Sequence, residues 1–481
     1  MSETKYKYLA KNTAIFAVSS FGSKLLVFLL VPFYTRVLST EEYGKADLIT
    51  TTSSLLIFVV TLCVAEAVIR FAIEGASSRE GVFRFGVDVV VVGSSILSVC
   101  VLALRSLKII KWDDYMYLFL LIILIASSLE QVVSSYLRAI DRVKEVGIMG
   151  ILITLFTIIS NLFFLLVLKW GLFGYLASYF IGHLSSMIYG LFVIYKCDKS
   201  CFSQICSREK KTKMLQYSVP LIFNGLAWWV NSCLDRYFII FYYSAALNGI
   251  YAVASKIPTI LNTMNQIFNK AWNLSAIKEY EKTDKDHFFD NIYSLYNFVL
   301  VASCSILILL NIPLARLLFA NEFFEAWNYS SILLISTVFS ALGSFIGSIF
   351  TAVKNSKIFA ISTIVAAGVN TVLNWILIPS LGALGAAIAT AVSFFVIWLI
   401  RLVCVSKYME LKVNYIRDFI AYGLIVVQAI VEHSEGHNYA VQGLIVITII
   451  LLYIKELRKT MQRAKVLISG VVHRKANTAS R

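Results

Sequence analysis

The chain has 481 residues, of which 59% are apolar and only 15% charged, with 5 prolines and 23 glycines. Soluble domains carry about 25% charged residues, so a string of soluble domains on flexible linkers is excluded. The apolar residues come in long runs instead of alternating singly, which argues against a β-barrel. The net charge of +15 is spread over many short segments, so no nucleic-acid surface is expected.

The pattern predicts an all-α polytopic membrane protein. A span needs about 20 apolar residues to cross about 30 Å of hydrocarbon. The first run follows MSETKYKYLAK and covers 13–37. It is longer than a signal-peptide core and has no small-residue cleavage site, so secretion is not expected. Further runs lie at 46–69, 86–106, 116–137, 146–168, 173–195, 215–243, 249–275, 291–310, 329–351, 358–378, 384–404, 416–432 and 438–454, about fourteen spans in all. The last two are the weakest, being short, with Arg417 and Asp418 crowding the start of the thirteenth. Without that pair about twelve remain, and the number stays even, so both termini lie on one side.

Lysine and arginine set the orientation. The terminus-side segments hold most of the 43 basic residues, among them Lys196 to Lys213, the group Arg401 to Arg417, and the tail from Lys455. The opposite side holds only Arg36, Lys45, Arg105, Lys108, Lys111, Lys169 and Arg316. Both termini are therefore expected in the cytoplasm. Cys197, Cys201 and Cys206 then lie in a reducing compartment, and their spacing matches no standard zinc pattern, so free thiols and no metal are expected.

The chain also resembles itself. Ser39–Gly44, after the first span, aligns with Ser244–Gly249, after the seventh. Gly171–Gly174, entering the sixth, aligns with Gly382–Gly385, entering the twelfth. This predicts two six-helix lobes of the same topology, a plan common among transporters. The expected divisions are an N-terminal lobe 1–198, a cytoplasmic hinge 199–214, a C-terminal lobe 215–405, a helix pair 406–454 and a basic tail 455–481. No P-loop is present, the five histidines have no metal-ligand spacing, and the outer loops are short. Transport is expected, without a cofactor and without enzymatic chemistry.

Intramembrane polar residues are costly and usually face a bundle interior or a watery cavity. In the eighth span, Lys256, Thr259, Asn262, Thr263, Gln266, Asn269, Lys270 and Asn273 share one helical face. Interhelical glue needs one or two amides, so this stripe reads as a lumen lining. In the seventh span, Asn224, Trp228, Asn231 and Asp235 form a line, with Arg236 beside it; Asp235 is either a local ion-pair partner or an ion site. Lys24, with Thr13, Ser20 and Thr35, marks a face of the first span, and Glu130 in the fourth is a second candidate ion site. Glu66 with Arg70, and Arg84 with Asp88, have the spacing of helix-end ion pairs. The deep cations Lys24, Arg236, Lys256 and Lys270 suggest a positive cavity and an anionic substrate.

With these residues in view, the chain resembles the Wzx-type oligosaccharide flippases of the multidrug/oligosaccharidyl-lipid/polysaccharide exporter superfamily. The resemblance is carried by Ser23–Leu48, Tyr217–Ile239 and, above all, Lys256–Tyr280, with Gly382–Thr390 adding to it. It implies fourteen helices in two lobes around a central basic cavity, placed by position on Lys24, Arg236, Lys256 and Lys270. It implies transport of an undecaprenyl-diphosphate-linked oligosaccharide across a bacterial cytoplasmic membrane, for O-antigen, capsule or exopolysaccharide assembly. The expected partners are that lipid-linked sugar, membrane lipids, H⁺ or Na⁺ as coupling ion, and a polysaccharide polymerase. A multidrug or cation antiporter, a flippase for a cell-wall precursor and a membrane polymerase are the competing readings.

Overall fold

The computed structural model describes residues 28–73, 79–108, 112–280, 288–353, 355–433 and 438–454. These residues form seventeen α-helices with short 3₁₀ and π segments and no strand. In chain order they are α1 (Val31–Val37), α2 (Thr40–Thr61), α3 (Val64–Ile73), α4 (Val82–Ser106), α5 (Asp114–Ala139), α6 (Val143–Asn161), α7 (Gly171–Cys197), α8 (Arg208–Tyr242), α9 (Ala245–Ala254), α10 (Lys256–Tyr280), α11 (Phe288–Leu309), α12 (Asn311–Leu318), α13 (Trp327–Ala352), α14 (Ser356–Leu381), α15 (Ala383–Val405), α16 (Tyr415–Glu432) and α17 (Tyr439–Leu452).

Eight helices of the described residues are long and apolar enough to cross a membrane, or nine if the bent pair α2 and α3 is one span. The all-helical membrane class is thus as the sequence predicts. α8 and α10, which hold the expected seventh span and most of the eighth, fall outside that group, because polar stripes interrupt their apolar faces. α16 and α17 cover the expected thirteenth and fourteenth spans.

The sequence predicts unbroken second and eighth spans, and the structure breaks both. α2 and α3 meet at a 54° bend. There Leu62 and Cys63 both take positive φ, 48° and 53°, a conformation that costs a non-glycine residue of order 1–3 kcal/mol. α9 and α10 part at Ser255. No glycine or proline stands at the first break, but at the second Pro258, in the first turn of α10, has no N–H for the Ala254 carbonyl and its ring crowds that carbonyl, a signal that the expected unbroken eighth span passes over. Ser39 starts α2 with a reciprocal cap: its Oγ accepts from the Glu42 N–H and the Glu42 carboxylate accepts from the Ser39 N–H.

The chain divides into two compact units. The first comprises residues 1–253, 317–325 and 371–383. Its centre is α5, against which α2, α3, α4, α6 and α7 pack, while α8 packs on α2 and α3. Trp229 anchors α8, its indole N–H donating to Ser54 Oγ at 3.1 Å. The second unit comprises 254–316, 326–370 and 384–481. Its centre is α13, which packs on α10, α11 and α16. Trp272 of α10 stacks on Phe345 of α13 with ring centroids 4.2 Å apart and donates to the Phe345 carbonyl at 3.1 Å.

Two expectations about charge are corrected. Arg401, counted above with the terminus-side loops, is 2% exposed inside α15. Its guanidinium donates to Ser362 Oγ, the Gly343 carbonyl and Thr363 Oγ1 at 2.9–3.0 Å, so it is an internal strut and says nothing about orientation. The two helix-end ion pairs do not form. Arg70 lies over the Tyr217 ring, 4.5 Å from its centroid, and Arg84 donates to the Ser203 carbonyl at 3.2 Å.

Candidate functional site

The polar residues singled out above fall into two groups, one in each unit. In the second unit, α10 presents two contrasting faces. Ile257, Leu261 and Ala276 are fully buried, and Trp272 nearly so. Asn262, Gln266, Lys270 and Asn273 are exposed. At 1.5 Å per residue they form a line about 16 Å long, with half-buried Lys256 at the helix start.

Two members of the expected stripe turn away from the open face. Thr263 is buried and donates to the Thr259 carbonyl at 2.7 Å. Asn269 is half-buried and donates to Asn265 Oδ1, which also accepts from the Tyr296 hydroxyl at 2.6 Å. Asn265 is buried and ties α10 to α11. The sequence holds it only as one more asparagine, a third of a turn off the stripe.

In the first unit the line on α8 splits in the same manner. Trp228 is exposed and Asn224 half-buried, while Asn231 and Asp235 are 1% and 3% exposed. Asn231 Nδ2 donates to the Ala227 carbonyl at 2.8 Å. Asp235 accepts from the Tyr251 hydroxyl at 2.6 Å and from the Arg236 backbone N–H at 2.9 Å. The Arg236 guanidinium reaches past it: Nε donates to Asp47 Oδ2 at 2.7 Å, while Nη1 lies 3.8 Å from Asp235 Oδ1. Asn248 Nδ2 adds a donor to Asp47 at 3.4 Å and one to the Gly44 carbonyl at 3.0 Å. One guanidinium is therefore shared between two carboxylates, one of them, Asp47, missed in the sequence.

The cluster sits beside the point where α2 and α9 cross, which is where the internal repeat matches itself. A Cβ on Gly44 would lie 1.8 Å from the Ala245 carbonyl oxygen, and one on Gly249 would lie 2.0 Å from that of Thr40. The contact is reciprocal, as across a two-fold axis. The second repeat match behaves alike: Gly171 and Gly382 both have positive φ, 51° and 57°, which glycine adopts without strain.

Of the remaining candidates, Glu130 is half-buried on α5, with Oε2 3.9 Å from His183 Nδ1, and Lys24 lies outside the described residues. Thr35, expected on the face of Lys24, is buried and donates to the Leu318 carbonyl at 3.1 Å.

The arrangement can hold an anion on one open face and lock two crossing helices with a buried charge cluster. Known proteins place it further. The chain is 25% identical over 272 residues to Lsg locus putative protein 1 of Haemophilus influenzae, covering 54% of this chain and 64% of that protein. It is 24% identical over 407 residues to the probable low-salt glycan biosynthesis flippase Agl15 of Haloferax volcanii, covering 83% and 84%. The first curated relatives that it matches are spanned for only 61% and 64% of their length. Among solved structures, a lipid II flippase in an inward closed conformation superposes with a TM-score of 0.69 at 15% identity, over 93% of this chain and 99% of that one. A multidrug resistance MATE family transporter of the MOP superfamily, facing inward, gives 0.66 at 14% identity, over 80% and 95%. These structures share the fold. The pattern of the polysaccharide biosynthesis protein family matches residues 9–272, more than half of the chain, and the chain belongs to that family.

Proposed function

We propose that the protein carries an undecaprenyl-diphosphate-linked oligosaccharide from the cytoplasmic to the outer leaflet of a bacterial cytoplasmic membrane, for O-antigen, capsule or exopolysaccharide assembly. The observation that carries this reading is the open face of α10, four exposed polar side chains in line on a helix whose opposite face fills a core. Family membership supports the substrate class, as does the similarity to the probable glycan biosynthesis flippase of Haloferax volcanii.

Moving a diphosphate unaided through hydrocarbon costs tens of kcal/mol. The Lys270 and Lys256 ammonium groups and the amides of Asn262, Gln266 and Asn273 replace its water, while the polyprenyl tail stays in lipid. An inside-negative potential favours outward movement of two negative charges by roughly 4–5 kcal/mol per 100 mV. In this reading the lobes 1–198 and 215–405 rock about the hinge 199–214, with both termini cytoplasmic. The Gly44–Gly249 crossing parts for outward release, and H⁺ or Na⁺ acting at Asp235 or Glu130 drives the cycle. A polysaccharide polymerase then takes the product.

The test is flux of the lipid-linked oligosaccharide in proteoliposomes, with potential, pH and sodium gradients imposed one at a time. Gradient-driven flux is expected, and none from correctly inserted protein would contradict the reading. Asp235→Asn should reduce that flux, and recovery in Asp235→Asn/Arg236→Gln would reject the ion-site role. Cysteine labelling should find positions 211 and 465 inside and 112 outside.

A further inference from the structure

A groove between α2, α4 and α8 plays no part in the transport proposed above. It measures about 510 Å³ and is lined by Val59, Val92, Ile96 and Leu215, with Asp88 and Lys211 also on its wall. Val92 and Ile96 are 59% and 62% exposed, and only 17% of the apolar stretch of α4 is buried. On a helix this apolar, the medium beside the groove is lipid.

Bulk hydrocarbon accounts for the valines and isoleucine but not for the two charges. Asp88 and Lys211 share the groove, yet among the described residues neither forms an ion pair. The Lys211 ammonium lies over the Phe85 ring, 5.5 Å from its centroid. Arg84, one turn before Asp88, is held at the Ser203 carbonyl, and the Lys210 ammonium lies 3.5 Å from the Glu80 carbonyl oxygen. Charges at a lipid-facing site are expensive unless partnered.

We propose that the groove is a binding site for a phospholipid with a primary-amine head, a phosphoethanolamine lipid. One acyl chain lies along Val92 and Ile96, the phosphate meets Lys211, and the ammonium donates to Asp88. The charges themselves select this head. A glycerol head brings the same phosphate to Lys211 but only neutral hydroxyls to Asp88, and a polyprenyl diphosphate brings a second negative charge beside it. A choline head brings a cation with no N–H to donate.

The test is native mass spectrometry of the full chain, equilibrated with equal amounts of phosphatidylethanolamine, phosphatidylglycerol and phosphatidylcholine. Phosphatidylethanolamine should be retained about threefold over either of the others, the effect of one partly exposed charge pair. Asp88→Asn should erase that preference, and Asp88→Glu should keep it. Lys211→Gln and Ile96→Trp should lower retention of all three lipids alike. Equal retention by the unaltered protein, an unchanged ratio in Asp88→Asn, or displacement of phosphatidylethanolamine by an equal amount of polyprenyl phosphate would overturn the proposal.

Discussion

Two helices of the second unit carry polar residues through apolar surroundings and use them in opposite ways. On α16, Asp418, Tyr422, Gln428 and Glu432 are all buried. Asp418 pairs with Arg417 at 2.7 Å and accepts from the Tyr453 hydroxyl at 2.9 Å. Tyr422 donates to Asn297 Oδ1 at 3.0 Å, Gln428 exchanges bonds with Ser305 at 2.6 and 2.9 Å, and Glu432 accepts from Asn311 at 2.8 Å. The result is a ladder that fastens α16 to α11 and to the start of α12. On α10 the polar line is open, and it is the apolar face that holds the helix in place. A buried polar network matters to stability because each member left alone is costly, whereas an exposed line is accessible to a substrate. Polar content alone therefore does not mark a transport surface.

The largest effect that separates the two helices is expected at Asp418. Its removal in Asp418→Ala leaves the Arg417 guanidinium buried without its carboxylate and should cost about 3 kcal/mol, read from unfolding in a denaturing detergent. Lys270→Gln on the open face should stay within about 0.5 kcal/mol of the unaltered protein. A Lys270 variant as unstable as Asp418→Ala would make α10 a second strut and collapse the contrast.

The next effect concerns the α2–α9 crossing. Gly44→Val and Gly249→Val each push a side chain into backbone and should each cost about 1–3 kcal/mol. Because they spoil one shared contact, the double variant should cost less than the sum; full additivity would mean that the glycines act separately. Third, Gln428→Ala removes two interhelical hydrogen bonds, each worth about 0.6 kcal/mol in a membrane, and should cost about 1 kcal/mol, whereas Asn262→Ala on the exposed face should not lower stability measurably. Equal losses would erase the distinction between ladder and open face.

The contrast was only half legible in the sequence. The α10 stripe follows helical phase, a local property, and so it could be found. The α16 ladder could not, because Asn297, Ser305 and Asn311 are more than a hundred residues away along the chain. Sequence reading therefore saw Arg417 and Asp418 as charges weakening a span, when they are a neutralised internal pair. The same limit hid Asp47, which meets Arg236 across 189 residues. It also misled the local reading of Glu66 with Arg70, since helical spacing permits that pair but the Tyr217 ring claims the arginine. The repeat was legible because Gly44 and Gly249 are each demanded by the same backbone contact.

The smallest effect lies outside the membrane. Burial works against the charged form of Asp198, but hydrogen bonds from Tyr136, Ser200 and the Cys201 backbone outweigh it and hold its carboxyl below the usual range. A depressed carboxyl stabilises above its unfolded-state value and loses that contribution as pH falls through the folded one. Hydrogen exchange in Lys199–Phe202 should stay slow from neutral to mildly acid pH and quicken only in stronger acid. Tyr136→Phe should move the onset to higher pH, and an unmoved onset would show that this bond does not set it.

The central claim is that the open cationic face of α10 carries the anionic head of a lipid-linked sugar. It is tested most directly by the initial rate of lipid-linked oligosaccharide flux in proteoliposomes for Lys256→Gln, Lys270→Gln and the corresponding arginine variants, each checked for an unchanged unfolding midpoint. Each glutamine should lower the rate about tenfold, the loss of one charge-assisted contact of roughly 1.5 kcal/mol, and each arginine should retain most of it. Normal rates in both glutamine variants would contradict the claim.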